Sequence, residues 1–318
     1  MTSKELLGRY KKLNNSFLKK TVFHVGINAG FFSEYNNMIL AVLYCILHKL
    51  KFELYSKDAN FGFEKGWEDY FEPFCKTQTN DFHSYYNHRF VTRYTDKEKR
   101  KIKIFKLLHF ARYFTQDLWY HMHKELWENV EDKWGKKYVI SELGIEGNLN
   151  EVCRSLVHMT WRYNKSTQDE ISKMIESLNL PDQYLGFHIR QGDKFTENTL
   201  LSPEQYIEAA MKEFNIRNAF ILTDDYTVIE DLRNKYQDWN IYTLCMEEER
   251  GFFYEDFQKQ NDKYVKRLSH LRLFASMDII NNSQCFYGTF TSNPGMYLGM
   301  RMPLDKCRGL DTETWIWR

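Results

Sequence analysis

In the second half of the chain, short apolar runs alternate with longer stretches of helical period. The runs at 184–189, 219–222, 240–244 and 284–288 have the length of buried strands. The stretches at 202–214, 226–236, 263–281 and 294–301 read as helices. The first of them opens on Ser202-Pro203-Glu204-Gln205, with a capping serine, a proline at the first helical position and a glutamine three residues on. Strands spaced by helices predict a parallel, doubly wound sheet. The first half is less regular. Residues 1–20 form a short polar helix or arm. Strand 21–25, a glycine-containing loop, apolar helix 38–48 and strand 52–55 make a βαβ unit. Residues 58–95 are rich in Phe, Tyr, Asn and Asp and have no clean period, so they read as an irregular insertion. Residues 118–134 read as an aromatic-rich packing helix. A polar helix at 168–178 precedes Pro181. The boundary between an N-terminal α/β domain (1–165) and a C-terminal Rossmann-like domain (166–318) is placed here.

Composition narrows the class. The chain has 318 residues, of which 43% are hydrophobic and 17% aromatic, ample for folded cores and too apolar for disorder. A net charge of +1 argues against bulk nucleic-acid binding, so no nucleic-acid partner is expected. The six cysteines are scattered with no C-x-x-C pair, and Cys45, Cys153 and Cys285 sit in apolar surroundings as buried thiols, which suits a reducing compartment. Residues 1–20 have no apolar signal region, and the best apolar run, 38–47, is far too short to span a bilayer. These features lead to the expectation of a cytoplasmic protein, at most peripheral to a membrane. Lys97, Lys99, Arg100, Lys101, Lys103 and Lys106 cluster around a predicted helix. The ordinary reading is a solvated face; the sharper one is attraction to anionic headgroups, which would suit a lipid-linked acceptor. His121 and His123 lie two apart and face different sides of a helix, a poor arrangement for a metal.

Chemistry concentrates at three strand ends. Leu185-Gly186-Phe187-His188-Ile189 runs directly into Arg190-Gln191-Gly192-Asp193-Lys194. In open α/β sheets ligands bind beyond the carboxyl ends of strands. A His, an Arg, an Asp and a Lys delivered there make a candidate anion site, weighed against a solvated turn. The run 220–222 leads into Thr223-Asp224-Asp225, where one carboxylate is equally well explained as an Asx cap on the next helix. Thr291 and Ser292 precede the last helix, whose start offers hydroxyls and N–H groups to a diphosphate or to a plain N-cap. No Asp-x-Asp pair is present to hold a divalent metal.

These three stretches, in order and spacing, resemble the three motifs of the inverting fucosyltransferases. The likeness is greatest to the α1,6-fucosyltransferases and the bacterial nodulation fucosyltransferase. It spans Leu185 to Met302, with a weaker match at Gly26 to Asn37. There Gly30 matches the first glycine of a Gly-x-Gly loop, while Phe32 stands in place of the second. The resemblance implies an α/β, GT-B-like fold with two Rossmann-like domains facing a cleft, the first being the acceptor side and the second binding the nucleotide-sugar.

It also implies roles for residues. Arg190 would contact the donor β-phosphate, its planar fork doing the work of a metal, so no metal cofactor is expected and GDP-fucose is the donor substrate. Many relatives carry a second arginine where this chain has Gln191; Lys194 is the cation available to compensate. His188 and Asp278 match positions that contact guanine, and a carboxylate can accept from its N1–H and 2-amino group together. Asp224 and Asp225 would hold the ribose or fix loops. Glu197, shortly after Lys194, is the candidate base, although the gap to the lysine differs by one residue from the family's. The alternatives are a transferase using another nucleotide-sugar, and a catalytically silent nucleotide- or glycan-binding protein, favoured by Gln191 and Phe32.

Overall fold

The structure, a computed structural model, describes residues 1–26, 29–84, 95–128, 135–191, 201–252, 256, 259, 260, 262–313 and 315. The chain divides into two compact units, one over Met1–Asn164 and one beginning at Lys165.

The first unit is built on a three-stranded parallel sheet, β1 (Lys19–His24), β2 (Leu50–Tyr55) and β3 (Lys76–Gln78), in the order β1-β2-β3. Strand β3 lies inside the stretch read as irregular. Its three residues, Lys-Thr-Gln, carry no apolar signal, so only pairing with β2 makes them a strand. Helix α1 (Ser3–Ser16) is no loose arm. Leu6, Leu7, Tyr10 and Asn14 form its buried stripe, and Asn14 exchanges two hydrogen bonds with the Phe52 backbone, at 2.9 and 2.7 Å. Helix α2 (Phe31–Leu47) starts seven residues before the predicted 38. The period was obscured because Glu34, Asn36 and Asn37 are polar, yet all three are buried in it. Asn37 is satisfied by donating to the Ser33 carbonyl (2.7 Å) and by its contact with His123 (3.0 Å), as buried amides must be. Phe32 belongs to the aromatic core, stacked on Trp161 with centroids 6.0 Å apart.

The remainder of this unit comprises α3 (Asp96–His109), α4 (Leu118–Met122) continued by a π-turn at His123–Trp127, the hairpin β4 (Tyr138–Ile140) and β5 (Ile145–Gly147), and α5 (Leu149–Thr160). Part of the predicted helix at 118–134 lies outside the described residues.

The second unit starts with α6 (Lys165–Ser177) and holds the five-stranded sheet β10-β9-β6-β7-β8, all of its pairs parallel. Its strands are β6 (Leu185–Ile189), β7 (Asn218–Thr223), β8 (Asn240–Tyr242), β9 (Phe286–Gly288) and β10 (Cys307–Gly309), and its helices α7 (Pro203–Glu213), α8 (Thr227–Lys235), α9 (Lys263–Asn281) and α10 (Asn293–Arg301). Central β6 is buried on both faces, which explains its continuous apolar run. Leu185, Phe187 and Ile189 face a core shared with Tyr206, Ile207, Val228, Ile229 and Leu232. Each such fully buried side chain contributes about 1.5–3 kcal/mol. Gly186 and His188 face the opposite side, where an added Cβ at Gly186 would lie 3.0 Å from Ile280 of α9. Edge strand β10 was not legible in the sequence, because Cys-Arg-Gly shows no period.

Candidate functional site

The registers of β6, β7 and β9 place three loops side by side at the carboxyl end of the second unit's sheet. Ile189 pairs with Thr223, so Arg190 and Asp224 leave adjacent strands at the same level. Phe187 pairs with Tyr287, which brings Thr289 to the same rim.

Arg190 is set between a carboxylate and an aromatic ring. Its Nε lies 3.9 Å from Asp224 Oδ2, and its guanidinium carbon is 5.8 Å above the centre of the Phe252 ring. Both Arg190 and Asp224 are mostly buried, with side-chain exposures of 22% and 16%. Asp224 is the organiser. Its Oδ1 accepts from the Gln191 N–H at 2.9 Å, its Oδ2 from the Phe252 N–H at 3.1 Å, and its carbonyl from the Gly251 N–H at 2.8 Å. One carboxylate thus ties the loop after β6 to the loop at 249–252 and faces the arginine between them. Gln191 contributes its backbone N–H to this network.

Asp225 has a different task. Its Oδ1 accepts from the Thr227 N–H at 2.9 Å and the Thr227 hydroxyl at 2.8 Å, the Asx arrangement that starts α8. The two adjacent aspartates therefore split into a loop organiser and a helix starter.

His188 is 5% exposed and its Nδ1 is buried without a hydrogen-bond partner. Burial, reinforced by the neighbouring Arg190 charge, pushes its pKa down to about 3, so the ring is neutral at physiological pH. A neutral imidazole with an unspent ring nitrogen can donate or accept a directional hydrogen bond at the sheet end.

Asp278 lies on α9, which packs on the sheet face that carries His188. Its Oδ1 is 2.6 Å from Arg301 Nη1, and Arg301 also meets the Tyr297 hydroxyl at 3.1 Å. Arg301, at the end of α10, was not among the expected residues; a lone arginine in a helix's last turn reads as a dipole partner. It fixes the direction of the Asp278 carboxylate.

The loop before α10 is tied down by hydrogen bonds within the chain. Ser292 Oγ donates to the Thr289 carbonyl at 2.8 Å and accepts from the Gly295 N–H at 3.2 Å, so it is the N-cap. Asp311, on the segment after β10, accepts from the Phe290 N–H (2.8 Å), the Thr291 N–H (2.9 Å) and the Thr291 hydroxyl (2.5 Å). A carboxylate of the chain itself thus sits where a diphosphate was expected to find open donors. No sequence signal marks Asp311, which gains this position through the pairing of β10 with β9. Asp193, Lys194 and Glu197 lie outside the described residues.

In the first unit, the loop between β1 and α2 contains Gly26 and Gly30, whose backbones differ. Gly26 has φ +87°, and a Cβ there would be 2.4 Å from the Phe61 ring, so the fold requires glycine. Gly30 has φ −63° as the N-cap of α2, and a Cβ there would meet nothing within 4 Å. The space over Gly30 is open to a ligand. Among the described residues no group of three or more His, Cys, Asp or Glu could hold a metal ion, and no helix is long and apolar enough to cross a membrane.

No family model matches the chain, and no curated protein matches it. Solved structures do. The fucosyltransferase NodZ from Bradyrhizobium is 12% identical, with a TM-score of 0.54 over 90% of this chain and 94% of that one. NodZ α-1,6-fucosyltransferase soaked with GDP-fucose gives 0.53 at 11% identity, over 90% and 94%. The same enzyme co-crystallised with GDP gives 0.52 at 11% identity, over 90% and 93%. The chain has the α/β fold of these GT-B fucosyltransferases.

Proposed function

We propose that this protein is an inverting, metal-independent glycosyltransferase that moves L-fucose from GDP-fucose to a glycan hydroxyl. The observation that carries this reading is Arg190. It leaves the central strand of a sheet whose fold matches enzymes seen with GDP and GDP-fucose, and it is held between Asp224 and Phe252. As the glycosidic bond breaks, charge moves onto the β-phosphate. A cation already fixed there stabilises that state more than the ground state. Asp224, 3.9 Å from Nε, offsets part of the guanidinium charge, a balance that suits positioning over raw attraction. Asp278, aimed by Arg301, reads the guanine edge, and neutral His188 contacts the same base. The second unit is the nucleotide-sugar domain and the first the acceptor domain, where the backbone at Gly30 is open to a ligand. Lys194 compensates for the single arginine, and Glu197 takes the proton of the acceptor hydroxyl.

The diphosphate can reach the Thr291 N–H and hydroxyl only by displacing Asp311, so we assign the phosphate chiefly to Arg190. The deciding experiment is GDP-fucose turnover with a panel of glycan acceptors, with and without EDTA. Transfer that survives EDTA supports the reading. Transfer from UDP- or CMP-sugars alone, or activity that returns only with manganese, refutes it.

A further inference from the structure

Helix α3 has two faces of opposite character. Its inner face is pinned. The Phe105 ring packs 4.7 Å from Phe82 and 4.8 Å from Tyr113, and the segment that follows exchanges backbone hydrogen bonds with Lys20 of β1, at 2.9 and 2.7 Å. Its start is fixed by a capping box between Thr95 and Glu98. Its outer face is not covered. Ile104, Leu107 and Leu108 are 51%, 74% and 70% exposed, and Phe110 just beyond is 64% exposed. No residue of this helix is buried.

The outer stripe is ordered along its length. Lys97 and Arg100, both exposed, precede Ile104, Leu107 and Leu108 at spacings of three and four, which places all five on one side. Exposed Lys103 flanks that stripe one turn before Leu107. Six Lys or Arg stand against two carboxylates in these fourteen residues, while the whole chain is only +1. Cations at one end of the stripe and bare aliphatic chains at the other suit a lipid–water boundary. The apolar turns enter the acyl edge and the long basic side chains stay at phosphate level. A protein groove would match the aliphatic residues but gives no reason for this one-ended charge.

We propose that α3 and Phe110 form a docking surface for an anionic lipid bilayer, lying in the headgroup region with the carboxyl end of the helix deepest. This inference goes beyond the transferase reading and does not rest on it.

The test uses the full chain and vesicles of phosphatidylcholine with or without phosphatidylglycerol, read by co-sedimentation. The expected result is binding to the anionic vesicles that weakens with salt. The Lys97→Gln/Arg100→Gln/Lys103→Gln variant should bind them about a hundredfold more weakly, each basic side chain near such a surface contributing about fivefold. Leu107→Asp/Leu108→Asp should abolish vesicle binding and leave the melting temperature unchanged, because both side chains are exposed. GDP affinity of the same variants separates this proposal from the transferase reading, since it should not change. Equal binding to neutral and anionic vesicles, no vesicle binding, or binding unaffected by the aspartates overturns the proposal. So does a concentration-dependent dimer of the unmutated protein that the aspartates dissolve, which would assign the face to a second copy of the chain.

Discussion

The two parallel sheets end in opposite ways. In the first unit β1 ends at His24, which is 4% exposed, and its Nε2 meets Asp58 Oδ1 at 2.7 Å while its ring lies edge-on to Tyr55. The loop that follows turns back into an aromatic core through Phe31 and Phe32. In the second unit β6 ends at Ile189, and Arg190 follows it directly, mostly buried and set between a carboxylate and a ring. Both sheets use strand, loop and helix in the same order. What differs is the side chain placed at the strand end: a buried imidazole still in the ladder at His24, and a guanidinium one position past the last ladder pair at Arg190.

The largest test of that contrast is Arg190→Ala. We expect fucose transfer at saturating donor to fall at least about a hundredfold, or ~3 kcal/mol, with the melting curve retained. Arg190→Lys should recover only part, because a point charge cannot supply the planar fork. A folded Arg190→Ala protein with normal turnover would mean that both sheet ends are structural.

The glycine pair sharpens the comparison within one loop. Gly26→Ala should cost about 2–3 kcal/mol by chemical denaturation, since its backbone is left-handed and the Cβ collides with Phe61. Gly30→Ala should leave stability within about 0.5 kcal/mol and instead weaken the donor, measured as a higher KM for GDP-fucose. Equal stability loss in both would show that Gly30 is a fold requirement too.

Asp278→Asn should weaken GDP by about ten- to a hundredfold in calorimetry, the worth of a bidentate base contact of roughly 1–3 kcal/mol, and leave UDP affinity unchanged. Equal affinity of the unmutated protein for GDP and UDP would remove guanine reading from Asp278.

The smallest effect is a pH slope. His188 is held at about 3, and His83 in the first unit and His270 in the second at about 4, each chiefly by burial. Their folded pKa values lie below the ordinary histidine value of 6.5, so between these limits the unfolded chain binds more protons. Stability is fully present above pH 6.5 and is lost progressively as pH falls towards 4 and 3. Thermal scans should show this slope, flattened in part by His188→Gln. A flat profile between pH 7 and 5 would mean that these rings are not buried as neutral groups.

Much of the second unit was legible because its elements are long and locally periodic. Helix 263–281 matches α9 residue for residue, and the capping signal at Ser202 marks the start of α7. The missed elements β3, β4, β5 and β10 have three residues each; β8 and β9 are as short, but they lie in the regular strand–helix alternation, whereas β3 (Lys-Thr-Gln) and β10 (Cys-Arg-Gly) carry no apolar run. The apolar pattern marks only part of α2, because buried polar residues interrupt its stripe. At the site, Arg190 and Asp224 stand out in the sequence because charge directly follows an apolar run. Their partners Phe252, Arg301 and Asp311 do not, being ordinary residues in ordinary surroundings.

The amino-acid order alone therefore determined the strand–helix alternation, the parallel sheet of the second unit and the placing of Arg190, His188 and Asp224 at strand ends. Periodicity and strand direction are local properties, set by which side chains can share a face. Tertiary structure alone decided which charges meet. It put Arg301 on Asp278, ran Asp311 under Phe290 and Thr291, and left α3 with its aliphatic residues uncovered. Those outcomes depend on groups far apart in the chain. Their distances follow from how strands pair and helices pack, which no local pattern encodes.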